Sequence, residues 1–330
     1  MEPSRPRTMT AVTYDRYGPP EVLHPAELPV PEVAPGHVLL EVAAVAVSSA
    51  EAAMRAADPP VARLATGLRR PRVRVPGSEL SGRVVEVAPD VTDLRVGDRV
   101  VTATGVRAGG YAEYVAVPAA ATAPVPDGVD LVDAVAVVEG GLTALPFLRD
   151  HGAVGEGIRL LVIGAAGSVG SSAVQLGADL GAVVTGVCST DHVDLARTLG
   201  AVEVVDRTLV ALPEWPGPHD VVLDAVGAAS FRRCRRLLAA DGIYLTTVPD
   251  VDALVRTPLA RRGHGKRAAL AFTGLRRDEA KVADMRHLLQ LAAEGRLRPV
   301  VDRRMPLREA AAAHRHVETR RKTGSLLLVP

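Results

Sequence analysis

Cysteine is nearly absent from this chain of 330 residues, which contains only Cys188 and Cys234. Two cysteines make neither a disulfide framework nor a cysteine-rich zinc site. Cys188 ends a run that is typical of a buried strand, and Cys234 lies in a helical pattern. We therefore interpret both as packing residues and not as reactive thiols.

An excess of charge of one sign is also lacking. The 39 Lys and Arg residues face 38 Asp and Glu residues, so the net charge is +1 and offers no electrostatic footprint for nucleic acid. No apolar run approaches the ~20 residues that a membrane-spanning helix needs, so we expect no membrane partner. Residues 1–10 lack the apolar core of a signal peptide, which predicts a cytoplasmic protein.

One apolar stretch is the most informative part of the chain. The residues from Leu160 to Ile163 predict a strand that is buried on both faces, as in a parallel sheet. A turn of small residues and an Ala-, Val- and Leu-rich helix follow it. Ala165, Gly167 and Gly170 match the dinucleotide fingerprint with Ala in the place of its first Gly. A second apolar strand at 182–187 lies at the expected distance, which favours nucleotide binding over a turn without a ligand.

In such a turn the backbone amides at the helix start point at a pyrophosphate, and the helix dipole favours its charge. Gly170 also lets the helix pack closely against the strand. We therefore predict that the cofactor binds at Gly164, Ala166, Gly167, Ser168, Val169 and Gly170.

The rest of the chain has two kinds of pattern. Residues 10–124 predict mostly short strands between Pro and Gly turns, with helices at 48–57 and 61–70. Two further helices are predicted at 130–138 and 141–150. From residue 158 strands alternate with helices, which predicts a doubly wound parallel sheet. Its strands are predicted at 158–163, 183–187, 202–205, 220–224, 242–247 and 267–272. The helices of this part and of the C-terminal part are predicted at 168–180, 191–199, 228–239, 278–294 and 308–319.

Short motifs in a defined order support a family resemblance along nearly the whole chain. They include Tyr17-Gly18-Pro19-Pro20, Pro76-Gly77-Ser78-Glu79, Val96-Gly97-Asp98, Asp224-Ala225-Val226-Gly227 and Thr323-Gly324-Ser325. Together they resemble the medium-chain dehydrogenase/reductase superfamily, in its zinc-free quinone oxidoreductase-like branch. The resemblance implies an α/β protein with a GroES-like β-barrel domain at 1–124 and 274–330 and a doubly wound Rossmann domain at 125–273. It also implies an active site between them.

The resemblance also allows a prediction of whether the chain binds zinc. Zinc-dependent members place Gly-His-Glu where this chain has Gly77-Ser78-Glu79, and they use a cysteine ligand near residue 48, where this chain has Ser48. Serine is a poor zinc ligand beside thiolate and imidazole. We therefore expect no zinc, and reduction of an activated C=C bond in place of alcohol oxidation.

The second strand of the parallel sheet ends in Ser189 and Thr190, where proteins that read NAD place a carboxylate. These hydroxyls, with Arg207 just after the third strand, suit the 2′-phosphate of NADPH. Asp191 opposes this interpretation because its charge would repel a phosphate. The alternative role for Ser189 and Thr190 is to cap the next helix. We expect NADPH, with NADH as the alternative.

Further cofactor contacts are implied by the resemblance alone. They are expected near the nicotinamide, at the carboxyl edge of the sheet or on the helix that enters this domain. For each of them, buried packing is the alternative. The residues are Thr143, Val226, Gly227, Thr247 and Phe272.

Relatives usually carry Asn-Pro-x-Asp, often with Tyr two residues on, where this chain has Ser48-Ser49-Ala50-Glu51 and then Ala53. The pocket is therefore expected to be wider, and a proton must come from water, Ser48 or Tyr111. Glu51 is expected to orient the cofactor or a loop. Its alternative is a carboxylate that only stabilises a helix start. The predicted catalytic residues are Ser48, Glu51 and Tyr111.

The predicted function is NADPH-dependent, zinc-independent transfer of hydride to the C=C bond of a quinone or α,β-unsaturated carbonyl compound. One alternative is an enoyl-thioester reductase, in which Arg69, Arg70 and Arg72 meet a pantetheine phosphate and do not merely form a solvated face. Another is a non-catalytic protein that retains the fold and the nucleotide site. A homodimer is expected through the apolar sixth strand of the parallel sheet, Ala268–Phe272.

Overall fold

The structure, a computed structural model, describes residues 6–60, 63–248, 257, 265–271 and 273–330, without the side chain of Ala65. The chain forms two compact units. The first comprises Met1–Glu139, Leu275–Ala293 and Val301–Pro330, and the second comprises Gly140–Gly274 and Glu294–Val300. Compared with the domains drawn from the sequence, residues 125–139 belong to the first unit, and Gly274 and residues 294–300 belong to the second.

Strands dominate the N-terminal part of the described chain, and strands alternate with helices in its second half. The strands are β1 (Thr8–Thr13), β2 (His24–Pro29), β3 (His37–Ala46), β4 (Glu79–Val87), β5 (Arg99–Ala103), β6 (Tyr114–Pro118), β7 (Thr122–Pro124), β8 (Arg159–Ile163), β9 (Val183–Cys188), β10 (Glu203–Asp206), β11 (His219–Asp224), β12 (Leu238–Thr246), β13 (Arg267–Leu270), β14 (Val301–Pro306) and β15 (Ser325–Val329). The helices are α1 (Ser49–Ala56), α2 (Arg63–Thr66), α3 (Leu131–Pro146), α4 (Ser168–Asp179), α5 (Val193–Thr198), α6 (Phe231–Cys234), α7 (Asp278–Ala293) and α8 (Ala310–Glu318).

The first unit is built around the long strand β3. This strand pairs with β4 and β6 in antiparallel fashion, and its last residues pair with β15. The sheet runs in the order β14-β15-β3-β4-β5-β7, and β1 and β2 form a separate hairpin. Apolar side chains of β3, among them Val38, Leu40 and Val42, enter a core that α8 completes with Ala310 and Ala313. This arrangement is the GroES-like unit that the resemblance implies.

The second unit contains a six-stranded sheet in the order β10-β9-β8-β11-β12-β13, and each of its pairs is parallel. The predicted doubly wound sheet is therefore confirmed. The order reverses beside β8, and ligands of such sheets bind outside the carboxyl ends of the strands at this point. Strand β13 forms one edge of the sheet. The expected pairing of this edge with a second copy stays a prediction, and Phe272 lies outside the described residues.

Helix α6 is much shorter than the predicted helix at 228–239. It ends at Cys234, a 3₁₀ turn follows at Arg235–Leu237, and β12 begins at Leu238. The sequence-based prediction was wrong here because parallel pairing of β12 with β11 overrides the helical propensity of the segment. Of the helix predicted at 61–70, residues 61 and 62 lie outside the described residues, and helix α2 covers Arg63–Thr66 of the remainder.

Helix α3 joins the two helices predicted at 130–138 and 141–150, and a π-helical turn at Phe147–His151 extends it. The 21-residue segment Leu131–His151 is long and apolar enough to cross a membrane by length and composition alone, contrary to the expectation from the sequence. Of its most apolar window, 72% is buried inside the protein, as in a core helix. Gly140 does not break α3 because it packs against α4, where a Cβ atom would lie 2.2 Å from the Ser168 carbonyl oxygen.

Candidate functional site

The turn between β8 and α4 is tied to the end of β9 by its backbone. The amides of Gly164 and Ala165 both donate to the carbonyl oxygen of Val187 over 3.0 Å, and the amide of Gly167 donates to that of Gly164. Gly164 has a φ of +84°, a conformation that glycine adopts without strain. The chain therefore leaves the buried strand in a tight turn and enters α4 at the switch point of the sheet.

Two glycines of this turn are required for different reasons. A Cβ atom on Gly170 would lie 2.0 Å from the Gly164 carbonyl oxygen, so only glycine lets α4 pack against the turn. A Cβ atom on Gly167 would lie 3.6 Å from the same oxygen, which is ordinary contact. Packing within the protein therefore explains why residue 170 is a glycine, but it does not explain why residue 167 is a glycine. Close approach of a ligand to the backbone gives Gly167 a reason.

Helix α4 begins without a side-chain cap. Gly167 is its N-cap, and no side chain within the described part of the chain caps it. The first amides of an α-helix have no partner inside the helix. The first helical bond here runs from the Ser171 amide to the Gly167 carbonyl oxygen. Because these amides and the helix dipole favour an anion, the predicted loop residues fit a diphosphate.

The ends of β9 and β10 bring the predicted ribose-binding residues together. The amide of Arg207 donates to the Cys188 carbonyl oxygen over 2.9 Å, and the Thr190 and Thr208 hydroxyls lie 2.7 Å apart. The Arg207 side chain is exposed, and no ion pair of this arginine is found among the described residues. Neither Ser189 nor Thr190 caps a helix through its side chain. Ser189 stands at the N-cap position of the 3₁₀ turn Thr190–His192, but its side chain makes no capping hydrogen bond.

Sequence reasoning missed Asp206, the last residue of β10. Its carboxylate accepts hydrogen bonds from the amide and the hydroxyl of Thr208 over 2.8 and 2.6 Å. Hydrogen bonds from the Thr208 and Thr190 hydroxyls hold the pKa of Asp206 below its usual range. The carboxylate is thus occupied by protein donors and contributes negative charge at this edge.

Asp224 organises the loop after β11 and was also missed. Its buried carboxylate accepts hydrogen bonds from the amides of Val226, Ala228 and Ala229 and from the Tyr244 hydroxyl. The signal for it was present, because the aspartate ends an apolar strand and precedes a small-residue turn. Asp224 therefore fixes the path of the residues that the sequence placed near the nicotinamide.

This loop and the residues after β12 form an apolar surface at the carboxyl edge of the sheet. Val226 is 41% exposed and Val248 is 42% exposed. A Cβ atom on Gly164 would lie 2.6 Å from a Val226 methyl group, and one on Gly227 would lie 2.9 Å from Val248. The amide of Thr247 donates to the Asp224 carbonyl oxygen. The fold thus brings four predicted residues together: Gly164, Val226, Gly227 and Thr247.

Thr143 lies on α3, half-buried, with its hydroxyl 3.4 Å from that of Thr273. The hydrogen bonds described for Thr143 do not connect it to the β8–α4 turn, so its role at the cofactor stays a prediction.

The first unit holds a second polar site, at the start of α1. Ser48 is the N-cap, and its hydroxyl oxygen accepts the Glu51 amide over 3.2 Å. The Glu51 carboxylate accepts the Ser48 amide over 3.1 Å and the Ser78 amide over 2.8 Å. Glu51 is only 2% exposed. The capping box is thus a local reason for the position of Glu51, and Ser78 adds a contact from a distant segment.

Tyr111 and His314 complete this cluster. The Tyr111 hydroxyl donates to Glu51 Oε2 over 3.1 Å and lies 3.0 Å from His314 Nε2. Both side chains are fully buried, and the rings meet edge to face with centroids 5.8 Å apart. No histidine was given a role from the sequence. His314 lies beside Ala310, Ala313 and Val317 on the buried face of α8. The position of this histidine among apolar residues on one helix face was the signal in the sequence that could have indicated it.

Burial changes the proton affinity of this cluster. Burial and the nearby Glu79 raise the pKa of Glu51 to about 8, against the hydrogen bonds from Ser48, Ser78 and Tyr111. Burial and the charge of Arg55 lower the pKa of His314 to about 3. Burial raises the pKa of Tyr111 well above its usual value. At neutral pH the cluster therefore contains a largely protonated carboxyl, a neutral phenol and a neutral imidazole.

The donor set in the first unit suits zinc poorly. The Ser78 hydroxyl donates toward Glu79 over 2.5 Å and toward Glu51 over 3.3 Å, and Ser48 is occupied as an N-cap. Both cysteines belong to the second unit, where burial raises the pKa of Cys188 to about 11 and that of Cys234 to about 12. Over the residues that the structure describes, no group of three or more His, Cys, Asp or Glu side chains is arranged to hold a metal ion.

Comparisons with known proteins agree with this architecture. The family model of the alcohol dehydrogenase GroES-like domain matches residues 34–127, and that of the zinc-binding dehydrogenases matches residues 199–328. A quinone oxidoreductase of Pseudomonas aeruginosa is 30% identical over 333 residues, which cover 97% of this chain and 99% of that protein. An NADPH-dependent alkenal/one oxidoreductase of Arabidopsis thaliana is 28% identical over 348 residues, with 99% and 81% covered.

Similarity also extends to a much larger protein and to a solved complex. Polyketide synthase GfsB of Streptomyces halstedii is 34% identical over 256 residues, which are 76% of this chain and only 4% of the synthase. The quinone oxidoreductase of Escherichia coli, solved in complex with NADPH, is 25% identical with a TM-score of 0.83. That match covers 97% of this chain and all of the other.

Proposed function

Because the chain belongs to the quinone oxidoreductase-like branch of the medium-chain dehydrogenase/reductases, we propose that this oxidoreductase binds NADPH and reduces the C=C bond of a quinone or an α,β-unsaturated carbonyl compound without zinc. The observation that carries the proposal is the contrast between Gly170, which packing requires, and Gly167, which packing does not require. The names of the Arabidopsis relative and of the Escherichia coli complex, both of which include NADPH, support the choice of cofactor.

The residues of the second unit fit this cofactor part by part. The amides at the start of α4 hold the diphosphate, and Arg207 with Ser189 and Thr190 holds the 2′-phosphate. The apolar surface of Val226 and Val248 suits the face of the nicotinamide ring. When bound, the reduced nicotinamide supplies a hydride.

In the first unit, Ser48 is the donor that we assign to the conjugated oxygen, where negative charge develops during reduction. Its oxygen accepts the Glu51 amide, so its own proton remains available to an acceptor. Glu51 holds Ser48 in place through the Ser48 amide. Tyr111 is fully buried against Glu51 and His314. We therefore assign Tyr111 a positioning role in place of direct proton donation to the substrate.

The hydrogen bonds of this cluster have two consistent arrangements. With Glu51 ionised, its carboxylate accepts from Ser48, Ser78 and Tyr111, and His314 Nε2 donates to the Tyr111 oxygen. With Glu51 protonated, its Oε2–H donates to the Tyr111 oxygen, and the Tyr111 hydroxyl donates to His314 Nε2. Protonation of Glu51 therefore reverses a short hydrogen-bond chain without moving its heavy atoms.

The donor set supports the proposed independence from zinc. Ser48 and Ser78 are neutral hydroxyls that already bond within the protein, and zinc prefers thiolate, imidazole or carboxylate ligands. The two carboxylates near Ser78 are themselves buried or half-buried, and burial raises the pKa of Glu79.

Oxidation of NADPH in the presence of a quinone or a small enone tests the function. We expect turnover with both acceptors, and unchanged turnover after the protein is dialysed against a strong chelator. Binding of NADPH without turnover across a panel of electron-poor alkenes would support the non-catalytic alternative. Loss of turnover on chelation, with recovery on addition of zinc, would contradict independence from zinc.

Arg207→Ala is expected to weaken NADPH binding and leave NADH binding unchanged. A hydrogen bond to a charged group contributes roughly 1.5–3 kcal/mol, so the Kd for NADPH should rise about 10- to 100-fold. Calorimetric titration of both cofactors measures the effect. Arg232→Ala, which removes another exposed arginine of the second unit, should change neither Kd. An equal loss of affinity for NADH and NADPH would show that Arg207 does not read the 2′-phosphate.

A further inference from the structure

Two carboxyls of the first unit are joined by one hydroxyl. The Ser78 hydroxyl donates to Glu79 Oε2 over 2.5 Å and lies 3.3 Å from Glu51 Oε1. A serine hydroxyl has a single proton to donate and two lone pairs that accept. That proton lies in the shorter contact, so the Ser78 oxygen remains an acceptor toward Glu51. We call this arrangement the serine bridge, and it gives its donor to Glu79.

The surroundings of the two bridged carboxyls differ. Glu79, at the start of β4, is half-buried. Burial and the charge of Glu139 on α3 raise its pKa, whereas the serine bridge and the charge of Lys281 on α7 lower it. Glu51 is only 2% exposed, and the groups that donate to it are neutral. A negative charge is therefore better accommodated on Glu79, beside a lysine and closer to solvent, than on Glu51.

A count of charges around the serine bridge gives the same assignment. Lys322 lies 3.5 Å from Glu139. Asp278 pairs with Lys281 over 2.8 Å and with Arg107 over 2.9 Å. Among the described residues, these groups and the two bridged carboxyls comprise four carboxyls and three cations, so one negative charge is in excess. Burial of an unbalanced charge is costly, and a proton on one carboxyl removes it. The proton belongs on the more deeply buried of the two bridged carboxyls, since neither forms an ion pair within the described part of the chain.

The other titratable groups around Glu51 carry no negative charge at neutral pH. Burial raises the pKa of Tyr14 to about 12 and that of Tyr111 well above its usual value. The guanidinium of Arg55, on the same helix as Glu51, is already paired with a carboxylate of α8. After burial, the charge of Glu79 is the largest cause of the raised pKa of Glu51. The protonation of Glu51 therefore depends on its partner in the serine bridge.

We propose that Glu79, acting through Ser78, is a positioning residue for the reduction, because the two bridged carboxyls hold one proton between them and place it on Glu51. The inference rests on the proposed function, in which Ser48 donates to the conjugated oxygen. Glu51 accepts the Ser48 amide over 3.1 Å. An ionised Glu51 would therefore put a negative charge beside the oxygen on which negative charge develops. A neutral Glu51 keeps the hydrogen bonds that hold Ser48 without adding that charge.

The single-turnover rate of NADPH oxidation with an enone, measured as a function of pH, tests this role. We expect the wild-type rate to fall on the alkaline side with a midpoint near 8, where Glu51 ionises. Glu79→Gln removes the neighbouring charge, so Glu51 should ionise more readily and the midpoint should fall by at least about one pH unit. Glu51→Gln, which cannot ionise, should remove the alkaline fall.

A matched control is Glu113→Gln, which alters another half-buried carboxyl of the first unit, one that accepts the Thr10 amide. It should keep the wild-type midpoint. An unchanged midpoint in Glu79→Gln would overturn the inference, because Glu79 would then have no influence on the charge of Glu51. A wild-type rate that does not fall on the alkaline side would also overturn it, because the charge of Glu51 would then not affect the reaction.

Infrared spectroscopy locates the proton without turnover and without the Glu79 variant. The carbonyl stretch of a protonated carboxyl is followed while the protein is titrated with alkali. In the wild type a component of this band should disappear with a midpoint near 8, and that component should be missing from Glu51→Gln. If it persisted in Glu51→Gln, the proton would lie on Glu79 and the inference would be overturned.

The infrared result also separates this inference from the proposed function. A protein that shows the expected component and reduces no enone would contradict the proposed function and support the shared proton. Turnover of enones by a protein that lacks the component would leave the proposed function intact and overturn the inference.

Discussion

Gly167→Ala is expected to fold as the wild type does and to lose at least tenfold in affinity for NADPH. The new methyl group lies 3.6 Å from the nearest protein atom, the Gly164 carbonyl oxygen, and the φ of −75° suits alanine. Stability of the protein without cofactor should therefore stay within ~0.5 kcal/mol. The methyl group stands where the diphosphate must approach the backbone. Chemical denaturation and calorimetric titration measure the two quantities.

Two further glycines provide controls for this prediction. Gly155→Ala adds a methyl group in open space within the same unit, and it should change neither stability nor binding. Gly170→Ala places a methyl group 2.0 Å from the Gly164 carbonyl oxygen, so it should lower both. If Gly167→Ala bound NADPH with the wild-type Kd, the diphosphate would not lie at this turn.

Glu51→Gln is expected to remove most of the loss of stability on going from pH 6.5 to 8. The pKa of Glu51 is raised to about 8 in the folded protein, so the folded state holds this proton more tightly than the unfolded state. The stabilisation is complete below the unfolded pKa and is lost as the pH rises through 8, with a slope of up to ~1.4 kcal/mol per pH unit. Glutamine is neutral at every pH and places an amide where the protonated acid stands.

His314 determines how the stability of the protein depends on pH on the acid side. Its pKa is lowered to about 3, so its contribution is complete above pH 6.5 and is lost as the pH falls toward 3. Below pH 6.5 His314 and Glu51 therefore change the stability of the protein with pH in opposite directions. Above pH 6.5 the dependence of stability on pH comes from the buried carboxyls. Burial raises the pKa of Glu79 as well, so a part of the alkaline slope should remain in the variant.

Denaturant titrations at pH 6.5, 7.2 and 8 measure this slope. Glu27→Gln, which removes an exposed carboxyl of the same unit, should keep the wild-type slope. An identical slope in wild type and Glu51→Gln would show that Glu51 is already ionised in this range, and the protonated arrangement of the cluster would be wrong.

The parts of the site that sequence could predict are local. The fingerprint at 164–170 and the capping box of Ser48 and Glu51 depend on residues within one turn of each other, so their spacing is visible in the chain. The contact between Tyr111 and His314 joins residues 203 positions apart, and only the packing of α8 within the first unit creates it. Asp224 is an intermediate case. Its position at the end of an apolar strand could be recognised in the sequence, but its four hydrogen bonds form only in the folded loop.

The helix predictions likewise succeeded where local sequence decides and failed where tertiary contacts decide. Helices α4 and α7 agree with their predicted bounds within one residue because apolar periodicity and strong formers define them. Helix α6 does not, because it ends at Cys234, a 3₁₀ turn follows at Arg235–Leu237, and β12 takes the last residues of the predicted helix from Leu238 onward. The predicted domain bounds differ from the compact units at residues 125–139, 274 and 294–300 for a similar reason. Tertiary contacts determine to which unit these segments belong, and the sequence contains no signal that marks a domain boundary at them.

Transfer of deuterium from NADPH that carries deuterium on both faces of nicotinamide C4 tests whether hydride reaches the activated double bond. The enzyme is mixed with the labelled cofactor and an enone, and the reduced product is examined by nuclear magnetic resonance. We expect one deuterium at the β-carbon and a solvent-derived proton at the α-carbon. A reduced product without deuterium, or with deuterium at the α-carbon, would contradict hydride delivery to the activated double bond.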